Sequence, residues 1–191
     1  MTISHKDIKY LRSCHVEAKE FSTCAKRQYF SIVLDKHGHV LGSGYNGVPP
    51  KAKHCIDGGC PRLQNNTPNG ANYDDCDSIH AEVNCLLHSD CFQRQGGTLY
   101  VNGPPCFTCA KVIANSGVKR VVGILDPAYA DWPRIETKLK GWGIQVDMAD
   151  RSILNDLHYD DTVVGIGGTK RDKRWLTSTL KKVVKKIISF A

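Results

Sequence analysis

Apolar and polar positions along the first three quarters of the chain predict a succession of short helices and strands. Near the N-terminus apolar residues recur at helical spacing, and Ser4 followed by Asp7 is typical of a capping box that opens a helix. We expect this helix to end near Ser22. Residues 29–44 then contain two β-rich runs separated by a short turn, which predicts an antiparallel hairpin.

Beyond residue 79 the pattern alternates between helix and strand. It predicts helices over 79–90, 106–116 and 131–140, and strands over 98–102, 119–124 and 144–148. Such alternation favours crossover connections and parallel strands, whereas the preceding hairpin adds antiparallel ones. We therefore expect an α/β fold with a mixed sheet of five strands.

Residues 51–78 show no periodicity, and we expect a long loop there. A structureless loop of this length needs a special reason inside a compact domain. Three cysteines lie in it and a fourth precedes the first predicted strand: Cys55, Cys60, Cys76 and Cys24. Thiolates that bind a second metal would hold such a loop in place, with His54 as a replacement ligand. The alternative is that these are buried cysteines without a metal.

Residues 149–191 form a separate C-terminal extension to a predicted domain over 1–148. From Arg174 onwards apolar residues recur at helical spacing and lysines cover the other face, which predicts a basic amphipathic helix. Three interpretations remain open. The helix docks on its own domain or on a neighbouring subunit, it binds nucleic acid, or it lies on a membrane surface.

The net charge of +7 belongs to the C-terminal extension. Residues 169–191 carry eight basic residues and one acidic residue, and the rest of the chain is electrically balanced. The N-terminus is polar and lacks an apolar signal region, and no apolar run is long enough to span a bilayer. Nine cysteines in such a chain favour thiol and metal chemistry in a reducing compartment. We therefore expect a cytoplasmic protein, in the host cytoplasm if the source is viral.

Two short clusters carry the candidate chemistry. His80 and Glu82 form an H-x-E motif, and Cys106 and Cys109 follow in a P-C-x-x-C motif, which together match the signature of zinc nucleobase deaminases. His80 and the two cysteines would hold one zinc ion and leave its fourth position open for water. The metal would lower the pKa of that water towards about 7, and Glu82 would carry its proton. A redox C-x-x-C pair or a structural zinc site is the competing interpretation.

Several segments together resemble one enzyme family. They are Gly44–Pro49, Ile79–Asn84, Leu99–Val101, Pro105–Lys111 and Gly117–Val122. Over roughly residues 4–148 the chain resembles deoxycytidylate deaminases, including bacteriophage forms. The G-Y-N-G turn and the cysteine-rich insertion distinguish this family from other zinc deaminases. The resemblance implies a three-layer αβα fold of the cytidine-deaminase type.

The resemblance also implies roles for individual residues. His80, Cys106 and Cys109 match the zinc ligands, and Glu82 matches the proton shuttle. The substrate contacts it implies are Asn46 to the sugar hydroxyl, the backbone of Ala81 to the pyrimidine edge, and Tyr129, one residue out of register, packed near the sugar. Cys24, Cys55 and Cys76 lie where some members place a second, structural zinc, and Cys60 is assigned as its fourth ligand.

The implied activity is hydrolytic deamination of dCMP to dUMP, with dCTP as a further substrate, which supplies dUMP for thymidylate synthesis. Such enzymes act on a cyclic amidine C–N bond, are usually hexamers, and are activated by dCTP with Mg²⁺ and inhibited by dTTP. Lys26, Arg27 and Lys111 are candidate phosphate contacts. Two places depart from the family pattern. Cys85 stands where alanine is common, and residues 88–91 replace the usual alanine-rich helix end near subunit contacts. These departures affect the oligomer geometry that the resemblance implies.

Two other functions compete with this one. A deaminase of tRNA or single-stranded DNA would use the basic tail to bind phosphates. The balanced charge of residues 1–168 and the lack of aromatic residues interleaved with the basic ones argue against nucleic acid as a partner. A zinc-stabilised binding module without catalysis is the third hypothesis, and it gives no reason for Glu82 beside an open metal position.

Overall fold

The computed structural model describes residues 3–68 and 75–155, which lie in a compact unit spanning Met1–Asp156. Its helices are α1 (His5–Phe21), α2 (Pro61–Gln64), α3 (Ala81–Leu87), α4 (Phe107–Ala114) and α5 (Trp132–Gly141). Its strands are β1 (Phe30–Leu34), β2 (Val40–Tyr45), β3 (Thr98–Val101), β4 (Arg120–Ile124) and β5 (Gln145–Ala149). Short 3-10 turns occur at Cys55–Asp57 and Arg151–Leu154. The predicted C-terminal helix lies outside the described residues.

The five strands form one mixed sheet in the order β2-β1-β3-β4-β5. Strand β1 is antiparallel to both β2 and β3, so the predicted hairpin is confirmed. Strands β3, β4 and β5 are parallel to one another, as the alternation of helices and strands predicted. The connections through α4 and α5 are the crossovers that parallel pairing requires.

Each face of the sheet is covered by helices, so the structure has three layers. On one face α1 buries Leu11, Cys14 and Ala18 against strand residues such as Ile32 and Tyr100. The opposite face packs against α3, α4 and α5 and is built from Val33, Cys85, Leu86, Leu99, Cys109, Ala110, Ile113, Val118, Val121, Trp132, Ile135, Leu139, Ile144 and Val146. Successive strand residues point to opposite faces, and both faces are covered, which explains why the central strands β1, β3 and β4 are mostly apolar.

The predicted capping box at α1 is present and extends into the core. Ser4 Oγ accepts from the Asp7 N–H, and the Asp7 carboxylate accepts from the Ser4 N–H. Asp7 also accepts from the Tyr100 hydroxyl at 2.7 Å and from Arg120 at 2.7 and 3.0 Å. Arg120 donates in turn to Asp147 at 2.7 Å. Burial raises the pKa of Asp7, but the Arg120 guanidinium and the other donors outweigh it and hold that pKa well below its usual range. This network ties α1 to β3, β4 and β5.

The structure differs from the sequence prediction in the cysteine-rich stretch and at the end of α3. The stretch 51–78 is not uniformly a loop, because it contains a 3-10 turn and the four-residue helix α2, which begins with Pro61 at its first position. Elements this short leave no periodicity to detect. Helix α3 ends at Leu87 rather than near Asp90, because the Asp90 carboxylate accepts from the next backbone N–H groups, at Phe92 and Gln93, and forms a turn. Among the described residues no helix is long and apolar enough to cross a membrane.

Candidate active site

The three predicted metal ligands meet at the N-termini of α3 and α4. His80 Nδ1 lies 3.5 Å from Cys106 Sγ and 3.4 Å from Cys109 Sγ. A tetrahedral zinc ion with ordinary bond lengths places its nitrogen and sulfur ligands about 3.6 Å apart. Across residues 3–68 and 75–155 this is the one group of three or more His, Cys, Asp or Glu residues whose ligand atoms all lie within 4.8 Å of one another. The donor set and its spacing therefore fit zinc.

Two of these ligands are helix N-caps. His80 caps α3 and Cys106 caps α4, one residue earlier than the first helical turn in which the sequence placed them. Cys106 Sγ accepts from the Cys109 N–H at 3.5 Å. The Cys109 thiol, together with His80 and this backbone N–H, lowers the pKa of Cys106 to about 4. Both positive helix ends therefore face the ligands and favour a thiolate, as metal binding requires.

Glu82 lies in the first turn of α3 and lines the same cleft as His80 and Cys106. It is only 1% exposed, and its Oε2 has no hydrogen-bond partner among the described residues. Burial raises the pKa of Glu82, and nearby His80 opposes that shift. A buried carboxylate oxygen without a hydrogen-bond partner is costly, and a water molecule bound in the cleft beside His80 and Cys106 would supply that partner.

Asn46 connects the end of β2 to the start of α3. Its Oδ1 accepts from the Ala81 N–H at 2.7 Å, and its Nδ2 donates to the Arg27 carbonyl at 2.9 Å. Each group can form one more hydrogen bond, since an amide oxygen can accept two and an amide nitrogen can donate two. Ala81 is fully buried, and its N–H is directed at Asn46. A contact between that N–H and a pyrimidine would require this hydrogen bond to be shared or replaced.

The cleft brings together residues that are distant in sequence. It is lined by Cys24, Lys26, Arg27, Tyr29, Asn46, Arg62, Cys76, Ser78, His80, Glu82, Pro104, Cys106 and Tyr129. Tyr129 and two of the three candidate phosphate contacts, Lys26 and Arg27, thus line the same cleft as His80, Glu82 and Cys106. The third, Lys111, lies on the exposed side of α4, with its Nζ 5.4 Å from the centre of the Phe107 ring.

Sequence reasoning missed three polar cleft residues, Tyr29, Arg62 and Ser78. Ser78 could have been found, because residues two apart in an extended segment point to the same side and Ser78 stands two before His80. The isolated β-bridge between Gly47 and Ile79 shows that this segment is extended. Arg62 carried no local signal, since it reaches the cleft only through the fold of the cysteine-rich stretch.

Around the cleft, Arg27 forms an ion pair with Asp126 at 3.3 Å, which joins the segment before β1 to the loop that carries Tyr129. The side chains of Arg27 and Asp126 are 57% and 25% exposed, so the pair adds little stability. The ion pair instead holds the Arg27 guanidinium in place beside Asp126 at the cleft.

Four other cysteines, which were predicted to hold a second metal, lie near one another: Cys24, Cys55, Cys60 and Cys76. Cys55 and Cys60 are buried, and Cys24 and Cys76 are partly buried. Burial raises the pKa of Cys55 to about 12, with smaller contributions from Cys60, Cys24 and Cys76. In the described part of the chain these sulfurs do not form a second group at the 4.8 Å spacing of the first. The second metal site therefore stays a prediction.

A family model supports the interpretation of the site. The model for the cytidine and deoxycytidylate deaminase zinc-binding region matches residues 4–125, more than half of the chain and all of the ligand residues. The chain belongs to this family. The resemblance inferred from the sequence is thus confirmed.

Similar proteins agree with this assignment. A deoxycytidylate deaminase of Mycobacterium phage D29 is 37% identical over 119 residues, covering 60% of this chain and 91% of the relative. One of Enterobacteria phage T4 is 25% identical over 185 residues, covering 79% of this chain and 93% of the relative. The crystal structure of the cyanophage S-TIM5 dCMP deaminase with dCMP and dUMP is 25% identical, with a TM-score of 0.57, covering 74% of this chain and 94% of that one. The expected cytidine-deaminase-like fold is confirmed.

Proposed function

We propose that this protein is a deoxycytidylate deaminase that hydrolyses dCMP to dUMP and ammonia. The observation that carries the proposal is the site itself, in which three ligands at zinc spacing lie beside a buried glutamate with an unpartnered oxygen. The named relatives support dCMP as the substrate. Supplying dUMP for thymidylate synthesis is the role that this reaction would serve.

The metal site would be held by His80, Cys106 and Cys109. When bound there, zinc supplies Lewis-acid activation of a water molecule at neutral pH. The chain itself fixes the geometry, because two ligands are helix caps and the third lies one turn into α4. A preformed arrangement of this kind needs little reorganisation on metal binding.

Glu82 is the proton carrier in this proposal. Its unpartnered Oε2 accepts a proton from the attacking water as the water oxygen bonds to C4 of the pyrimidine. The same carboxyl then donates a proton to ring nitrogen N3 and, after taking up the remaining proton from the oxygen, donates to the departing amine. Water and dCMP thus become dUMP and ammonia with the carboxylate restored. General acid–base transfer of this type contributes about 10²–10⁴-fold to the rate.

Asn46 and Tyr129 are proposed to bind the sugar. The spare acceptor and donor of the Asn46 amide suit a deoxyribose hydroxyl, and its contacts to Ala81 and Arg27 hold it in place. Tyr129 lines the cleft from the opposite loop. The backbone of Ala81 is the proposed contact to the pyrimidine edge.

We also propose that Cys24, Cys55, Cys60 and Cys76 bind a structural zinc ion. Three of them precede a polar cleft residue by two positions, as the pairs Cys24 and Lys26, Cys60 and Arg62, and Cys76 and Ser78. Metal binding would therefore fix one wall of the cleft. Elemental analysis is expected to give about two zinc ions per wild-type chain and about one in Cys55→Ser, with the exposed Cys91→Ser as the unchanged control. A single zinc ion in the wild type would contradict this.

The finer properties rest on the resemblance alone. We propose a hexamer that dCTP activates with Mg²⁺ and dTTP inhibits, with dCTP as a second substrate. Sedimentation and rate measurements with each nucleotide test these points. Residues 156–191 of the C-terminal extension, which include its basic stretch, lie outside the described residues, and no described residue favours a polynucleotide substrate.

A substrate panel separates the competing functions. Ammonia release is measured for the zinc-loaded protein with dCMP, dCTP, deoxycytidine and a single-stranded oligonucleotide. We expect turnover of the free nucleotides, with dCMP preferred. Turnover of the oligonucleotide alone would overturn the proposal in favour of a polynucleotide deaminase, and no turnover with zinc and dCTP present would favour a binding module.

A further inference from the structure

Tyr29 is a cleft residue that the proposed chemistry does not use. It stands one position before β1, and its backbone carbonyl accepts from the Asn46 N–H at 3.1 Å. The strand pairing places Phe30 opposite Tyr45. Continued by one residue, this register places Tyr29 opposite Asn46. Residues directly opposite in an antiparallel pair have side chains on the same face, with Cβ atoms about 4.5–5.5 Å apart. Tyr29 therefore stands beside Asn46 in the cleft wall.

The chain and the ring of Tyr29 are both held in place. The Asn102 amide accepts from the Phe30 N–H at 2.8 Å and donates to the Gln28 carbonyl at 3.0 Å, which holds the residues on either side. The ring lies over Gly103, where a Cβ atom would stand 2.7 Å from the hydroxyl oxygen and from the ζ carbon of Tyr29. A side chain at position 103 would collide with the ring. These contacts place the phenol at one position in the cleft wall.

The Tyr29 hydroxyl keeps its own proton available for a ligand. Arg27 hydrogen-bonds this hydroxyl, and because a guanidinium can only donate, the phenol oxygen is the acceptor in that bond. The Arg27 guanidinium is held in turn by its ion pair with Asp126 at 3.3 Å. Burial raises the pKa of the Tyr29 hydroxyl, so the group stays protonated at neutral pH. Among the described residues its proton has no acceptor.

The pyrimidine brings an acceptor to this part of the cleft. In the proposed reaction C4 meets the attacking water and Glu82 protonates N3. The 2-carbonyl oxygen is bonded to the carbon next to N3, on the side away from C4, so a donor near Glu82 can reach it. The charge of Glu82 adds to the burial that raises the pKa of Tyr29, which agrees with a short distance between the two side chains. The Ala81 N–H is already bonded to Asn46 at 2.7 Å. A buried carbonyl oxygen without a donor is costly.

We propose that the Tyr29 hydroxyl donates a hydrogen bond to the 2-carbonyl oxygen of the pyrimidine. The inference rests on the proposed function and adds a side-chain contact to the one proposed for the Ala81 backbone. Cytosine and uracil both carry this oxygen, so the bond forms with substrate and product alike. It orients the ring so that N3 and C4 face Glu82. Tyr29 is thus a substrate-binding residue that takes no part in proton transfer.

The test combines a change in the protein with a change in the ligand. Tyr29→Phe removes only the hydroxyl, and 2-thio-dUMP replaces the 2-oxygen of dUMP with sulfur, a weak acceptor. Calorimetry measures the binding of both ligands to the zinc-loaded proteins. We expect the wild type to bind dUMP about 3- to 10-fold more tightly than 2-thio-dUMP, and Tyr29→Phe to bind the two within about twofold of each other. The matched control is Tyr45→Phe, at a partly exposed tyrosine that stacks on Phe21, and it should behave as the wild type.

Turnover gives a second readout. Because the bond is the same with substrate and product, Tyr29→Phe should raise KM for dCMP about 3- to 10-fold and leave kcat within about twofold. Ser78 is the competing donor, since its buried hydroxyl has no partner among the described residues and it lines the same cleft. If the preference for dUMP over 2-thio-dUMP persists in Tyr29→Phe and disappears in Ser78→Ala, the contact belongs to Ser78 and the proposal is overturned.

The same measurements separate this contact from the proposed function. If the wild type shows a preference for dUMP that depends on Tyr29 but deaminates no dCMP, the contact stands and the proposed function fails. If it deaminates dCMP but binds the two ligands equally, the function stands and the contact fails. If it binds neither ligand, both fail.

Discussion

Replacing Asp7 with asparagine tests the energetic role of the network between α1 and the sheet. The Asp7 carboxylate is 2% exposed and accepts from Ser4, Tyr100 and Arg120. Asparagine has the same shape as aspartate, but an amide NH2 group replaces one of the two carboxylate oxygens. This donor group would then face other donors. The Arg120 guanidinium would also lose its ionic partner on α1.

The expected loss of stability follows from burial. Breaking a buried ion pair lowers the free energy of unfolding by about 3–5 kcal/mol. We use the lower value because Arg120 would still form its ion pair with Asp147 at 2.7 Å. We therefore expect Asp7→Asn to lower the free energy of unfolding by about 3 kcal/mol, equivalent to about 6–12 °C in Tm. The matched control is Glu136→Gln, which breaks an exposed pair with Lys140 at the same 2.7 Å separation as Arg120 and Asp7. That change should cost less than about 0.5 kcal/mol.

Urea unfolding of wild type and Asp7→Asn across pH gives a further check. Because folding lowers the pKa of Asp7 from its ordinary value of 3.8, its stabilising contribution is fully present above that value. It is lost as the pH falls below 3.8 towards the folded-state pKa. The difference between the two proteins should therefore be constant near neutral pH and shrink in acid. A difference under about 1 kcal/mol at pH 7, or one that grows in acid, would show that the ionised Asp7 is not the stabilising partner of Arg120.

Three further substitutions test the site and its supports. Glu82→Gln should keep zinc, by elemental analysis, and lower kcat at least about 100-fold with dCMP, whereas a variant that keeps a large fraction of the wild-type rate would exclude the proton-carrier role. Gly44→Ala would place a methyl group 2.3 Å from the Cys85 backbone nitrogen and should reduce both stability, by about 1–3 kcal/mol, and activity, which thermal unfolding and turnover report. Asn102→Ala removes the side-chain hydrogen bonds at 2.8 and 3.0 Å that hold the chain before and at the start of β1, so we expect KM for dCMP to rise several-fold with a smaller change in kcat. An unchanged KM would show that this segment does not position the substrate.

Local patterns explain why much of the fold could be predicted. The Ser4–Asp7 capping box, the hairpin and the alternation after residue 79 are each encoded within a few neighbouring residues, and each is present in the structure. The candidate zinc ligands, which the structure brings together, could be found because their motif is short and specific. The same logic gave helix ends less accurately, since His80 and Cys106 proved to be caps.

What the sequence could not show depends on contacts between distant segments. Arg120 pairs with Asp7, which lies 113 residues away in the sequence, and no local pattern near either residue predicts this pair. Arg62 reaches the cleft only because α2 forms within a stretch that looks structureless in sequence. The unpartnered hydroxyl of Ser78 is likewise visible only when burial is known. Such features belong to tertiary packing and not to local propensity.

In the proposed mechanism, His80, Cys106 and Cys109 hold a zinc ion at which Glu82 supports hydrolysis of dCMP. The most direct test measures dUMP formed from dCMP by the purified protein, by the same protein after chelation, and after zinc is restored. We expect turnover that chelation abolishes and zinc restores, with zinc-loaded Glu82→Gln inactive in parallel. Full turnover in the chelated protein shown to be free of zinc, or in the Glu82 variant, would exclude this mechanism.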